Sequence, residues 1–193
     1  MREIVFASSN GGKIEELQAL LGDTWCVKSA KDFPAIPEVI EDADTFEGNA
    51  AKKARTFAQA TGWWALADDS GLVVDALDGR PGVWSARYAP TEPERIDKLL
   101  KELSAVPPLA RTARFICVLC LAAPDGKAQF TTGTCEGVIG TAPQGAHGFG
   151  YDPVFVLPSG KTMSELTRDE KSALSHRGHA LRAMLPQIIA AGG

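Results

Sequence analysis

The chain alternates short apolar runs with amphipathic stretches over most of its length. Apolar runs of about four to eight residues between turn residues are typical of buried strands, whereas apolar residues repeating every three or four positions predict helices. Helices are predicted at residues 13–21, from an Asp44-x-x-Glu47 capping box to Gly62, at 92–103 and at 175–190. Strands are predicted at residues 2–8, 64–67, 72–75, 114–121 and 129–136.

Strands and helices alternate in the first part of the chain, and a hairpin follows through Pro124-Asp125-Gly126. Alternation predicts parallel strand pairs, and a hairpin adds an antiparallel pair, so we expect an α/β fold with a mixed β-sheet. The 193 residues contain 45% apolar and 23% charged residues, which is ordinary for one globular domain. Because no repeat or flexible linker interrupts the pattern, residues 1–193 are expected to form a single domain.

Charge and hydropathy exclude several classes of function. A net charge of −4 argues against sequence-independent binding to nucleic acid, which requires a basic face. No apolar run approaches the roughly 18 residues of a membrane span, and the first six residues are too short and acidic for a signal peptide. We therefore expect a cytoplasmic protein that contacts neither nucleic acid nor membrane, and small anionic substrates remain open.

Cys117 and Cys120 form a Cys-x-x-Cys pair, which is a spacing found in zinc and redox sites. The pair lies in an apolar run that predicts a buried strand, where positions three apart face opposite sides. The two cysteines are therefore predicted to be reduced thiols of the core.

The most chemically informative stretch is Ala67-Asp68-Asp69-Ser70-Gly71, between two predicted strands. Mg²⁺ sites are often built from one or two carboxylates plus substrate phosphates. Consecutive strand residues point to opposite faces, so one aspartate is expected to bind metal or activate water and the other to brace the site. Glu41, in the acidic loop 38–44, is a second candidate metal ligand. The alternative is that both aspartates merely form a turn.

The loop Ser8-Ser9-Asn10-Gly11-Gly12-Lys13 joins the first predicted strand to the first helix. Backbone N–H groups and the positive end of the helix dipole make such a loop an anion site, although it is not a Walker A loop. The alternative is that Asn10 only caps the helix and that Lys13 is solvated.

Asn49 and Lys53 share a stripe of the second helix with Phe46 and Phe57. An amide and an ammonium group on a core-facing stripe need polar partners, and a phosphate or a carboxylate would serve. The alternative is a lysine that extends to solvent. Glu47 is assigned to the helix cap.

Two segments near the C-terminus indicate recognition of a planar, polar group. His176 and Arg177 follow Ser175, a candidate N-cap, and Lys171 precedes them by one turn. Cations at a helix N-terminus oppose the dipole, so an anionic or carbonyl-bearing partner explains them better than helix stability. In residues 148–153, Gly-Phe-Gly-Tyr-Asp-Pro, an aromatic ring could stack on a base, or the segment could be a structural turn. His179 and Arg182 are interpreted as surface residues.

Six motifs occur in one order along nearly the whole chain: Ser8-x-Asn10-x-x-Lys13, Thr45-Phe46-Glu47-Gly48-Asn49-Ala50-x-x-Lys53-Ala54, Ala67-Asp68-Asp69-Ser70-Gly71-Leu72, Pro81-Gly82-x-x-Ser85-Ala86-Arg87-Tyr88, Gly148-Phe149-Gly150-Tyr151-Asp152-Pro153 and Glu170-Lys171-x-x-x-Ser175-His176-Arg177-Gly178. Together they resemble the inosine triphosphatase (Ham1/RdgB) family of non-canonical purine nucleoside triphosphate pyrophosphatases. Six motifs in register are far more specific than any one of them.

The resemblance implies an elongated α/β protein of two lobes around a mixed sheet, with the nucleotide cleft between the lobes, and a homodimer. It implies hydrolysis of ITP, dITP or XTP to the monophosphate and pyrophosphate with Mg²⁺. Asp69 matches the catalytic proton acceptor and a metal ligand, and Glu41 matches the second metal ligand.

The same resemblance assigns the substrate-binding residues. The triphosphate loop is matched by Ser8, Ser9, Asn10, Gly11, Gly12 and Lys13, with Ser70 nearby, and Lys53 is expected to help hold the phosphates. The base-recognition elements are matched by Phe149, Gly150, Tyr151, Asp152, Lys171, His176 and Arg177. Two alternatives stay open: a pyrophosphatase of other modified nucleotides, and a nucleotide-binding regulator that does not hydrolyse.

Overall fold

The structure, a computed structural model, describes residues 2–191 and forms an α/β fold. Its strands are β1 (Arg2–Phe6), β2 (Trp25–Ser29), β3 (Ala65–Val74), β4 (Thr112–Ala122), β5 (Ala128–Ile139) and β6 (Phe155–Val156). Its α-helices are α1 (Gly11–Leu21), α2 (Phe46–Thr61), α3 (Glu92–Glu102), α4 (Arg168–Leu174) and α5 (His176–Ala191).

The six strands form one mixed sheet in the order β2-β1-β3-β4-β5-β6. Strand β1 pairs in parallel with β2 and β3, and β5 pairs antiparallel with β6. The predicted α/β class and mixed sheet are therefore confirmed. The sequence does not reveal β2 or β6, because β2 buries only its first residue and β6 has only two residues.

Strand β3 is continuous through the acidic pair, so the prediction of two short strands around a turn is wrong. The strand runs from Ala65 to Val74, and Gly71 keeps its extended conformation. Asp68 and Asp69 are buried within it, and both carboxylates have polar partners that offset the cost of burial. Neither aspartate is a turn residue.

The N-terminus of α2 differs from the prediction by one residue. Thr45, not Asp44, is the N-cap, and its Oγ1 accepts a hydrogen bond from the Gly48 N–H at 3.0 Å. Glu47 is therefore not a cap partner. It lies in the first turn, where a carboxylate stabilises the positive end of the helix dipole.

The predicted final helix is preceded by a second, short helix. Lys171 belongs to α4, which ends at Leu174 and has Ser175 as its C-cap. The Ser175 Oγ then accepts a hydrogen bond from the Gly178 N–H at 3.1 Å, which is the capping contact expected at the start of α5.

The described chain divides into two compact units, each with its own hydrophobic core. The first unit contains the residues up to Asp69, Cys117–Gly133 and the residues from His179 onward, and the second contains Ser70–Ile116 and Thr134–Gly178. The largest fully buried side chains of the first core include Phe6, Leu17, Leu66 and Leu119, and those of the second include Leu72, Leu99, Phe155 and Met163. That these units form lobes around a cleft stays a prediction.

The cysteines behave as core residues. Cys117 and Cys120 are buried free thiols of β4, as predicted. Burial raises the pKa of Cys120 to about 11, so the thiol stays protonated at neutral pH. No helix within residues 2–191 has the length and apolar character needed to cross a membrane.

The cap of α2 gives a testable prediction. Thr45→Ala removes the Oγ1 acceptor of the Gly48 N–H and should lower the free energy of unfolding by about 1 kcal/mol. The neighbouring Asp44→Ala is the matched control, because Asp44 is exposed and should change stability by less than about 0.5 kcal/mol. Urea unfolding measures both, and a larger loss in Asp44→Ala than in Thr45→Ala would contradict Thr45 as the cap.

Candidate active site

The loop between β1 and α1 presents backbone N–H groups at a helix start. The Asn10 side chain accepts a hydrogen bond from the Lys13 N–H at 3.3 Å, and the Ser8 Oγ accepts one from the Asn10 N–H at 3.2 Å. Ser9, Gly11 and Gly12 are exposed. A Cβ on Gly11 would meet nothing within 4 Å, so a ligand can approach this backbone closely.

The ammonium group of Lys13 forms an ion pair with Asp68 and does not simply extend into solvent. Its Nζ donates to Oδ1 of Asp68 at 2.9 Å and to Oδ2 at 2.7 Å. The Asp68 side chain is only 2% exposed, and that of Lys13 is 21% exposed. Asp68 therefore fixes the ammonium group of the loop, and the alternative of a solvated lysine is wrong.

Asp69 faces a different partner. Asn49 of α2 donates through Nδ2 to Oδ2 of Asp69 at 2.9 Å, and its Oδ1 accepts from the Ala43 N–H at 2.9 Å. Asn49 is 1% exposed, so both bonds are shielded from water. One buried amide thus ties the Asp69 carboxylate to the acidic loop that carries Glu41.

Lys53, one turn further along α2, forms an ion pair with Glu41. The side chains are 14% and 31% exposed, so this pair is more shielded than an ordinary surface pair. The stripe of α2 therefore meets two carboxylates, Asp69 through Asn49 and Glu41 through Lys53. The alternative of a lysine extending to solvent is wrong.

The donor set of this unit fits a divalent cation that the substrate helps to bind. Asp68, Asp69 and Glu41 contribute three carboxylates against the ammonium groups of Lys13 and Lys53, which leaves one net negative charge. A triphosphate is itself highly anionic and would be repelled without a further cation. Among residues 2–191 no three His, Cys, Asp or Glu side chains could hold a metal alone. Two carboxylate ligands completed by phosphate oxygens match the preference of Mg²⁺.

In the second unit, the segment Gly148–Pro153, here called the base loop, separates its two aromatic residues. Phe149 is 51% exposed, whereas Tyr151 is only 4% exposed. The ammonium group of Lys171 lies 4.6 Å from the centroid of the Phe149 ring. Phe149 is therefore the ring that can stack on a planar group, and Tyr151 is a core residue.

Asp152 organises the base loop from within. Its Oδ2 accepts hydrogen bonds from the Phe149 N–H at 2.9 Å and from the Nζ of Lys171. Asp152 is 4% exposed, and the Lys171 side chain is 18% exposed. The carboxylate thus holds the ammonium group of Lys171 beside the Phe149 ring, in a fixed position relative to the loop.

The start of α5 adds to this unit two buried side chains that can donate hydrogen bonds. His176 is 9% and Arg177 is 6% exposed, and both follow the Ser175 cap. The His176 ring stacks on Phe115 of β4, with centroids 4.9 Å apart and planes 18° apart. His179 and Arg182 are exposed, as predicted.

The structure therefore groups the predicted residues into two sets. Ser8 to Lys13, Glu41, Lys53 and Asp69 belong to the first unit, while Ser70, Phe149 to Asp152, Lys171, His176 and Arg177 belong to the second. Their roles in binding and catalysis stay predictions. Sequence reasoning missed Phe115 as the ring that orients His176, because a stacking contact between distant residues leaves no local signal.

The base loop gives a second testable prediction. Gly148 has a φ of +84°, and a Cβ there would lie 2.1 Å from Oδ2 of Asp152 and 3.1 Å from Nζ of Lys171. Gly148→Ala should therefore lower the free energy of unfolding by about 1–3 kcal/mol more than a matched glycine variant. Gly160→Ala is that control, because Gly160 has a φ of +85° with nothing within 4 Å. Equal losses in urea unfolding would mean that only backbone strain matters.

Comparison with known proteins identifies the family of this chain. A sequence model described as the Ham1 family matches residues 4–187. A dITP/XTP pyrophosphatase of Shouchella clausii is 52% identical, with 97% of each chain covered, and one of Halalkalibacterium halodurans is 50% identical, with 95% of this chain and 97% of the relative covered. The solved structure of a HAM1 protein from Coxiella burnetii has a TM-score of 0.92 and 43% identity, covering 99% of this chain and 100% of its own. The chain therefore belongs to the Ham1 family.

Proposed function

We propose that this chain is a nucleoside triphosphate pyrophosphatase that hydrolyses ITP, dITP and XTP to the monophosphate and pyrophosphate. The observation that carries this proposal is the buried Asn49 amide, which ties Asp69 to the Glu41 loop in the same unit as the Lys13 loop. Oxygen ligands, ammonium groups and helix-start N–H groups are what a triphosphate hydrolase requires. The relatives named dITP/XTP pyrophosphatase, about half identical over nearly the whole chain, support the substrate class.

Asp69 is the residue proposed to orient and deprotonate the attacking water. Its carboxylate is buried and fixed by a hydrogen bond from Asn49. The orientation of the carboxylate therefore need not change during the reaction. Ham1 family pyrophosphatases generally depend on a divalent metal. We propose Mg²⁺ with Asp69 and Glu41 as its protein ligands; when bound, it spreads charge away from the phosphate oxygens.

The triphosphate is proposed to lie against the loop of Ser8, Ser9, Asn10, Gly11, Gly12 and Lys13, with Lys53 and Ser70 as further contacts. Lys13 and Lys53 are already held in place by Asp68 and Glu41. These carboxylates keep the two ammonium groups ordered before the phosphates arrive, so less side-chain entropy is lost on binding. Asp68 is therefore proposed to position Lys13, while Asp69 serves the reaction itself.

The base is proposed to be recognised by the segment from Phe149 to Asp152, which includes Gly150 and Tyr151, together with Lys171, His176 and Arg177. Hypoxanthine and xanthine carry a 6-oxo group where adenine carries an amine. The Lys171 ammonium group, ordered by Asp152 and the Phe149 ring, can donate to that oxygen. Adenine would instead place a donor against a donor, which leaves the partly buried Lys171 ammonium group without an acceptor.

The remaining properties are proposed on the resemblance to the family. We propose that residues 1–193 act as one domain and that the protein is a homodimer working in the cytoplasm on nucleotide pools. Removal of deaminated purine nucleotides from those pools is the role that this reaction serves.

The proposed function predicts a specific product. With Mg²⁺, the protein should release pyrophosphate and no orthophosphate from ITP, dITP and XTP, and should turn over ATP at least about a hundredfold more slowly. Release assays on ITP, dITP, XTP, GTP and ATP, with Mg²⁺ and with a chelator, measure this. Orthophosphate as the product would refute the reaction, and equal use of ATP would refute the base assignment.

The proposed role of Asp69 predicts a large kinetic effect without loss of the fold. Asp69→Asn keeps an oxygen that can accept the Asn49 hydrogen bond but removes the base, so kcat should fall about 10²- to 10⁴-fold. Asp78→Asn is the matched control, because Asp78 is exposed and Asn tolerates its left-handed φ of 52°. Both variants should keep the wild-type circular dichroism, and a fully active Asp69→Asn would contradict the assignment.

A further inference from the structure

Ser85, in the fourth sequence motif, links two segments of the second unit. Its Oγ accepts a hydrogen bond from the Leu72 N–H at 2.9 Å and donates one to the Gly82 carbonyl at 2.6 Å. Its own carbonyl accepts a hydrogen bond from the Tyr151 hydroxyl at 2.9 Å. Ser85 is 7% exposed and Tyr151 is 4% exposed, so water does not compete for these bonds.

The contact with Leu72 completes an edge of strand β3. Within residues 2–191, strand β1 pairs with β3 only at Ala65 and Leu66. N–H groups of alternate strand residues point the same way, so Leu72 faces the same edge as Leu66 but lies beyond the paired residues. At Leu72, three residues after Asp69, the Ser85 hydroxyl accepts the hydrogen bond that a neighbouring strand would otherwise accept.

The contact with Tyr151 restrains the base loop. Burial raises the pKa of Tyr151 well above its usual range, so the hydroxyl remains a donor at neutral pH. Tyr151 lies between Gly150 and Asp152, and Asp152 in turn holds Lys171 and the Phe149 N–H. The Tyr151 hydroxyl is thus the contact through which the base loop is tied to the segment of Ser85.

We propose that Ser85 is a positioning residue that fixes the base loop against strand β3 through the hydroxyl of Tyr151, and thereby sets the discrimination between 6-oxo and 6-amino purines. This inference rests on the proposed function, because it assigns the base loop to purine recognition. Neither Ser85 nor the Tyr151 ring needs to contact the substrate. Both act by keeping Phe149, Asp152 and Lys171 in fixed positions relative to one another.

The test is a double-mutant cycle on base discrimination. Ser85→Ala and Tyr151→Phe should each lower the ratio of kcat/KM for ITP to kcat/KM for ATP by about tenfold, and Ser85→Ala should change kcat for ITP less than about twofold. Two residues that act through one contact chain are not independent, so the double variant should lose no more than either single variant.

Tyr88→Phe is the matched control. Tyr88 and Tyr151 are the two tyrosines of the chain, both in the second unit, and the Tyr88 hydroxyl donates to Glu102 at 2.8 Å. Burial, followed by this hydrogen bond, raises the pKa of Tyr88 to about 12. Tyr88→Phe therefore loses a comparable hydrogen bond, one made to Glu102 of α3 and not to Ser85, and it should leave the ITP to ATP ratio unchanged.

A second measurement needs no substrate. Amide hydrogen exchange across residues 148–152 should accelerate at least about tenfold in Ser85→Ala and in Tyr151→Phe, but not in Tyr88→Phe. If the wild-type protein does not hydrolyse ITP, the proposed function fails, and this exchange experiment still decides whether Ser85 holds the loop.

The outcomes separate positioning from simple stability. A lower melting temperature with unchanged discrimination and unchanged loop exchange would overturn the inference, as would losses of discrimination that multiply in the double variant. If Ser85→Ala does not fold, Tyr151→Phe alone decides, since it removes one oxygen atom and keeps the buried ring.

Discussion

The burial of two adjacent carboxylates within one strand is the constraint on which the rest of the first unit depends. Asp68 and Asp69 have nearly no access to water, so each requires a partner that offsets the loss of hydration. Lys13 supplies that partner on one side and Asn49 on the other. The β1–α1 loop and helix α2 are therefore both anchored to the middle of β3, which is how three distant sequence segments come to form one polar site.

The second unit keeps an exposed aromatic ring, Phe149, and a lysine, Lys171, in fixed positions. The buried carboxylate of Asp152 orders both the loop backbone and Lys171, and Gly148 leaves the space that this carboxylate occupies. Elsewhere in this unit, the Phe115 ring of β4 orients the His176 ring by stacking on it. Rigid placement of donors by buried partners is what discrimination between similar bases requires.

Much of this arrangement could be predicted from the sequence, because local patterns carry it. Periodicity predicts most of the helices and the hairpin, and the six motifs indicate the family to which the chain belongs. The errors occurred where a tertiary contact overrides a local preference. An Asp-Asp-Ser-Gly segment resembles a turn, yet it remains a strand because Lys13 and Asn49 stabilise the buried carboxylates. The one-residue shift at Asp44 and Thr45 reflects two good capping residues in succession, between which sequence alone does not choose. The pairing of Lys13 with Asp68 spans 55 residues and has no local signature.

The contact between Lys171 and the Phe149 ring has a consequence for the evolution of specificity. The cation lies 4.6 Å from the centroid of the aromatic ring, so in the proposed function a single side chain both supports the stacking ring and supplies the donor. A substitution that alters one of these properties alters the other at the same time. In the proposed function, a change of base preference would therefore alter hydrogen bonding and stacking together.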